Sequence, residues 1–255
     1  MTFGYSPLSR QFYKQFGIIR QIYRIYYRFY LSFLRIIGIG IVFIIYLIRP
    51  FIRIRVGILL YQRIGHLAAN TEYWMRKNNL DNHPGEIRVF LSSPKPANRQ
   101  LLTMIERRLS IIKNGILSDI LRETKQRWPK FSIWIKLDTS GSLDYNLWSN
   151  SKPQLSFSEE EMKKGQALLQ SMGIPEGSTF VCFAIRDKAY LNKTYDRGLW
   201  SYHDYRDADI ENCRMMAEWL ASQGIWVLRM GAVVEKPFLS DNPLIIDYAS
   251  NYRSD

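Results

Sequence analysis

The stretch "IRIRVGILLYQRIGHLAANTE", Ile52 to Glu72, decides how this chain is read. Its first nine residues are rich in β-branched side chains and close on a continuous apolar run, as a strand of a buried parallel sheet does. Gly65 then offers a turn, and "RIGHLAANTEYWMRKN" continues as a helix. A strand, a glycine turn and a helix are the first step of an α/β unit. The same stretch marks a charge boundary. Residues 1–71 carry ten Arg or Lys and no acid, so Glu72 is the first carboxylate of the chain. The other 184 residues hold 25 basic and 23 acidic side chains, so most of the net charge of +12 belongs to the N-terminal segment.

Upstream lies "FYLSFLRIIGIGIVFIIYLI", Phe29 to Ile48. As a helix these residues would measure about 30 Å, one hydrocarbon core. Arg35 interrupts the run near its start, where its head can snorkel toward headgroups. Arg20, Arg24 and Arg28 recur every four residues and give a basic helical face, while Ile18, Ile22, Tyr23, Ile25, Tyr26 and Phe29 fill much of the remainder. Both flanks are basic, so loop charge sets no orientation. The long lead and the sequence "YLIRPF" argue against a cleaved signal peptide. Residues 1–50 therefore read as a basic, aromatic helical segment that meets membrane lipids through residues 10–48. It would be a single span or an interfacial helix at the cytoplasmic face of the inner membrane. The competing reading is a hydrophobic helix packed on the domain, and the arginine face argues against it. Nucleic acid fits poorly as a partner, because the apolar run Ile36–Ile48 adds nothing to phosphate binding.

Downstream, strand and helix patterns alternate. "IRVFLSS" (87–93) reads as a second strand, 98–126 as a helical stripe with a break at Gly115, and "FSIWIKL" (131–137) as a third strand. The polar stretch 138–154 reads as a linker. Ser158 and Glu161 form a capping box that opens a helix, which "GIPEGS" stops. "TFVCFAI", a helix ended by Gly224, "IWVLRMG" and "LIIDYA" follow. The expected fold is α/β: two Rossmann-like units, an N-terminal one over 51–150 and a partial one over 151–255. Cys182 and Cys213 lie in no CxxC or Cys/His cluster, so they read as buried free thiols and no metal site is expected.

Ligands of such folds sit beyond the carboxyl ends of strands, which selects three clusters. The first is Arg63, Gly65 and His66. The second is Arg186 and Asp187, with Tyr190 and Asn192 close by. The third is Arg229 and Gly231, with Asp247 and Tyr248 ending the next strand. A glycine turn lets backbone approach a phosphate, Arg offers a fork of donors for a diphosphate, and His suits proton removal from a hydroxyl near neutral pH. Each has a plainer reading as a surface ion pair, or as a capping or surface histidine. His83 and His203 read as loop residues. No GxGxxG, P-loop, HExxH or GxSxG motif is present.

Taken in order, "RIGHLAANTE", "VCFAIRDKAYL", "YHDYRDADIENC", "WVLRMG" and "IIDYASNYRSD" resemble a family of bacterial glycosyltransferases encoded with surface-polysaccharide genes. The resemblance covers roughly Val56 to Asp255. It implies a GT-B-like pair of units, with a nucleotide sugar held mainly by the C-terminal one and a glycan or lipid-linked acceptor on the N-terminal one. It implies no cofactor beyond that donor. Mapped here, it gives Arg63, Gly65, His66, Asn70 and Glu72 in the first motif. Arg186, Asp187, Tyr190 and Leu191 fall in the second, and Tyr205 and Arg206 precede the C-terminal helix. Arg229, Met230 and Gly231, then Asp247 and Tyr248, complete the set. His66 would be the general base of an inverting transfer. The family pattern continues past "YRSD", so the second unit is expected to be C-terminally truncated. The alternative is a non-catalytic, membrane-tethered interaction protein or a degraded fragment of such an enzyme.

Overall fold

The computed structural model describes residues 17–78, 85–137, 144–194 and 201–253. Residues 10–16 of the expected lipid segment, His83, and the start of the 138–154 connection lie outside them. The chain is mixed α/β with two small parallel sheets. One compact unit is Gln21–Phe157, and Ser158–Asp255 falls in the other.

Helix α1 runs over Gly17–Ile48 and is continuous across Arg35. Strand β1 (Arg53–Ile58) follows. A turn of π-helix (His66–Asn70) leads into α2 (Thr71–Asn78), then β2 (Glu86–Ser92) and α3 (Arg99–Glu106). Next come β3 (Ile111–Lys113), α4 (Gly115–Arg127) and α5 (Tyr145–Asn150). The sheet order is β1-β2-β3, all parallel, with Gly57 opposite Phe90 and Phe90 opposite Ile111. Phe90 is fully buried and meets Trp74 edge-on at 4.9 Å.

Two expectations are corrected here. The stripe over 98–126 is not one helix, because the three-residue strand β3 divides it and Asn98 and Asn114 each cap a separate helix. "FSIWIKL" is not a full strand. It touches β1 at a single bridge, where Val56 N donates to Ile133 O and Ile135 N donates to Val56 O.

Helix α1 also departs from its reading as a segment apart. Leu34, Gly38 and Val42, four residues apart, are buried in one core with Ile120, Leu121, Ile133 and Trp134. A methyl group on Gly38 would stand 1.8 Å from Thr124 Oγ1, so the glycine is what lets α1 and α4 touch. Arg35 does not stand alone; its guanidinium pairs with Glu123 of α4 at 3.3 Å. Tyr46 Oη meets Ser132 Oγ at 3.0 Å and its ring packs edge-on against Phe131. The opposite side of the helix is exposed, including Phe29, Phe33, Ile36, Phe43 and Leu47. Over Ile25–Ile48 the mean hydropathy is 2.5, so this helix near the N-terminus is long and apolar enough to cross a membrane.

In the second unit, α6 (Glu159–Ser171) starts at the expected capping box, with both Ser158 and Glu161 bonds formed. Then come β4 (Phe180–Phe183), α7 (Ala189–Thr194), α8 (Arg214–Ser222), β5 (Trp226–Arg229), β6 (Ile245–Ile246) and α9 (Tyr248–Asn251). Two 3-10 turns, Ser201–Arg206 and Ile210–Cys213, precede α8. Gly224, at φ +74°, ends α8 as expected. The sheet order is β4-β5-β6, again parallel. Ala217, Ala221, Val227, Phe238 and Ile245 form one core and Ile174, Leu228 and Ile246 another. Strand β4 is at the sheet edge with alternate residues exposed. Cys182 is therefore exposed rather than buried, and both thiols are free.

Candidate functional site

The first cluster lies past the carboxyl end of β1. Tyr61 is buried. Its carbonyl accepts Ala97 N at 2.7 Å, and its hydroxyl accepts from Arg122 of α4 at 3.5 Å. The residue that opens the turn is thus held from two sides. Arg63 is half-buried, and its carbonyl accepts Leu67 N at 2.9 Å. Gly65 is helical (φ −62°, ψ −43°), and nothing lies within 4 Å of where a methyl group would stand. Neither backbone nor packing requires glycine there. One π-turn brings His66 Nδ1 to 3.3 Å from Asn70 Oδ1. An amide oxygen only accepts, so with Asn70 oriented this way Nδ1 is the donor in this bond. Such π-turns recur at functional sites. Asn70 therefore orients His66.

Glu72 has a different task. It is buried, and its Oε1 accepts from Arg76 Nε and from Gln154 N, each at 2.7 Å. Arg76 in turn donates to Trp148 O at 3.1 Å and Ser151 O at 3.0 Å, with its guanidinium over the Trp148 ring. The pair fastens the segment around α5 to α2.

The second cluster follows β4. Asp187 Oδ1 accepts Ala189 N and Oδ2 accepts Glu235 N, both at 2.9 Å, so it joins the β4 turn to the loop after β5. Arg186 pairs with Asp207 at 3.2 Å. Tyr190 is half-buried nearby in sequence, while Tyr205 and Arg206 are exposed and bond each other at 2.9 Å. A cavity of about 480 Å³ opens here. Asp187, Asp204, Asp207, Asp209 and Glu235 line it against only Lys188 and Lys236, so its walls are net acidic. The Lys236 ammonium, then the Glu211 N–H, hold the Asp209 carboxyl below its usual range.

The third cluster turns inward. Arg229 and Asp247 pair at 3.2 Å, with side chains only 1% and 2% exposed. Arg229 also donates to Lys236 O, and Asp247 accepts Phe238 N and caps α9 through Ser250 N. Burial works hardest against the Asp247 charge, yet the bonds from Ser250, Phe238 and Arg229 together hold its carboxyl below the usual value. Gly231 admits the Val234 side chain, which would lie 2.4 Å from a methyl group there.

Another feature escaped the sequence reading. At the amino-terminal ends of β1 and β2, Arg55 and Arg88 face each other in register and share Glu86. With Lys77, Lys130 and Lys136 they surround a cavity of about 540 Å³ floored by Trp74 and Trp134. Burial, then the nearby Lys136, push the Lys125 amine down. The alternation of basic and aromatic residues in "WPKFSIWIK" (128–136) was the available signal. Among the described residues no group of three or more His, Cys, Asp or Glu is placed to hold a metal ion.

No family model, curated protein or solved structure matches the chain.

Proposed function

We propose that this chain is a membrane-associated glycosyltransferase. It moves a sugar from a nucleotide-sugar donor to a glycan or lipid-linked acceptor during surface-polysaccharide synthesis, at the cytoplasmic face of the inner membrane. Its two α/β units are read as Rossmann-like halves of a GT-B-like enzyme. The observation that carries this reading is positional. The motifs around His66 and around Asp187 each follow the carboxyl end of the first strand of a parallel sheet, where α/β folds bind ligands. His66, with Nε2 available, is assigned as general base. Arg63 and the open α-carbon of Gly65 receive the acceptor or its phosphate. Arg186, with Tyr190, Tyr205 and Arg206, serves the donor.

The non-catalytic reading has its own support. Arg186 is paired with Asp207, Arg229 is buried on Asp247, and the cavity beside Asp187 is acidic, which opposes a diphosphate. Thermal unfolding with UDP-, GDP-, CMP- and dTDP-sugars separates the two. A donor-specific rise in melting temperature, with sugar transfer lost in His66→Ala, supports the enzyme. No shift with any donor, and full glycan output from His66→Ala, would leave the interaction protein.

A further inference from the structure

We propose that α1 is a monotopic anchor. It lies in the plane of one anionic leaflet with the domain on its back, and it does not cross the bilayer. The proposal rests on the membrane part of the function proposed above and not on glycosyl transfer.

The two sides of the helix differ in kind. One side is occupied by protein from Leu34 to Tyr46, through Gly38 on Thr124, Arg35 on Glu123, and Tyr46 on Phe131 and Ser132. These contacts run over the central and last turns of the 24-residue apolar window Ile25–Ile48. If that window crossed a membrane in this state, α4 would be carried into the hydrocarbon beside it. That helix bears Asp119, Arg122, Glu123, Lys125 and Arg127, and charged side chains are strongly disfavoured at that depth. A span and the docked helix exclude each other.

The other side has the form of a lipid-facing surface. Ile22, Ile25, Phe29, Phe33, Ile36, Phe43 and Leu47 fall on the arc opposite Gly38 at helical spacing, and all are more than half exposed. Among the described side chains of the helix, no charged residue shares that arc. Arg28 and Arg35, seven residues apart, flank the docked side instead, at the height where headgroup phosphates lie. Exposed Arg49 and Arg53 continue the positive charge past the helix end, and exposed Phe51 extends the apolar surface. With no acid before Glu72, the partner that matches this charge is an anionic lipid surface rather than a second copy of the same basic face.

The test uses the full chain. In sealed membrane vesicles, a Ser9→Cys, Cys213→Ser protein is labelled with a membrane-impermeant maleimide, and exposed Cys182 reports the side taken by the chain that follows the helix. Monotopic anchoring predicts that both thiols react from the same side; reaction from opposite sides overturns it. Flotation with phosphatidylglycerol-containing and pure phosphatidylcholine vesicles supplies the second arm. Binding to the anionic vesicles should weaken about tenfold or more in Phe33→Asp and Phe43→Asp, with the melting temperature unchanged. Undiminished binding by these variants overturns the proposal. So does absence of vesicle binding, or self-association through this face in place of lipid. Neither arm involves a sugar nucleotide, so a failed donor screen leaves the anchor standing.

Discussion

The Arg229 guanidinium lies 3.2 Å from the Asp247 carboxylate, with both side chains almost wholly withdrawn from water. The pair joins the end of β5 to the start of α9, and through Phe238 N and Lys236 O it also fixes the loop between them. Removing one partner strands a buried charge, which typically costs about 3–5 kcal/mol. Asp247→Asn and Arg229→Met should each destabilise the C-terminal unit by that order, read from chemical denaturation. Arg229→Met/Asp247→Asn should lose less than the two single changes combined. Equal additivity would show that the pair is not coupled.

The same carboxylate sets an acid response. Its folded-state value is lowered, so its contribution to stability is complete above the unfolded carboxylate value of about 4 and is lost as pH falls through the lowered folded value. Melting temperature should therefore fall steeply below about pH 4. Asp247→Asn should flatten that limb while leaving the neutral region merely lower.

Arg76 gives a prediction about the connection between units of secondary structure rather than about charge. It uses Nε for Glu72 and Nη1 for two carbonyls of the 148–151 segment. A lysine keeps the charge but not the fork. Arg76→Lys should open the segment around α5 to limited proteolysis between residues 144 and 157 before the rest of the chain unfolds. An unchanged cleavage pattern would mean that the Trp148 contact and the bond from Gln154 N to Glu72 hold it without the fork.

Local chemistry was legible in the sequence where one or two residues act alone. Ser158 and Glu161 announced α6, Gly224 announced the end of α8, and the strand before Tyr61 stood out by its apolar run. Legibility failed where a distant residue decides. β3 is three residues whose partner is Phe90–Ser92, and its apolar side chains continue the helical stripe on either side. Gly38 drew no reading of its own from the sequence, because only the fold brings Thr124 to it. Arg229 read as a phosphate ligand because a strand-end arginine gives no sign of the carboxylate 18 positions later that takes it inward. For the candidate site, the sequence supplied the cluster Arg63, Gly65, His66 and Asn70, and the structure supplied the bond by which Asn70 orients His66.

Gly65 separates folding from function. A methyl group there meets nothing, and the backbone is already helical, so Gly65→Ala should leave stability unchanged or raise it by up to about 1 kcal/mol. If a ligand approaches that α-carbon, the same change should raise KM with little effect on kcat. On the proposed transferase reading, His66→Ala should lower kcat by about 10²–10⁴, and Asn70→Ala by a smaller factor through misorientation of the ring. Steady-state transfer assays with the donor found by thermal shift read all three. Equal loss in Asn70→Ala and His66→Ala would make Asn70 a ligand contact in its own right.

Gly38 tests whether α1 belongs to the fold or only to the membrane. A free membrane helix tolerates alanine at such a position, and alanine raises helix propensity by about 1 kcal/mol. A helix docked on α4 does not, since the added carbon would stand 1.8 Å from Thr124 Oγ1 and 3.0 Å from its Cβ. Overpacking of this kind costs about 1–3 kcal/mol. Gly38→Ala should therefore lower the melting temperature of the detergent-solubilised chain, and Thr124→Ala in the same protein should restore part of the loss. It removes the nearer clash and leaves the second. The Thr124 hydroxyl also donates to Ile120 O, a bond within α4 whose loss is small because that carbonyl keeps its place in the helix ladder. The cycle thus isolates the contact between the two helices. A Gly38→Ala chain as stable as the parent would mean that α1 leaves α4 in solution, and that the arginine face, not the glycine, governs where the helix lies.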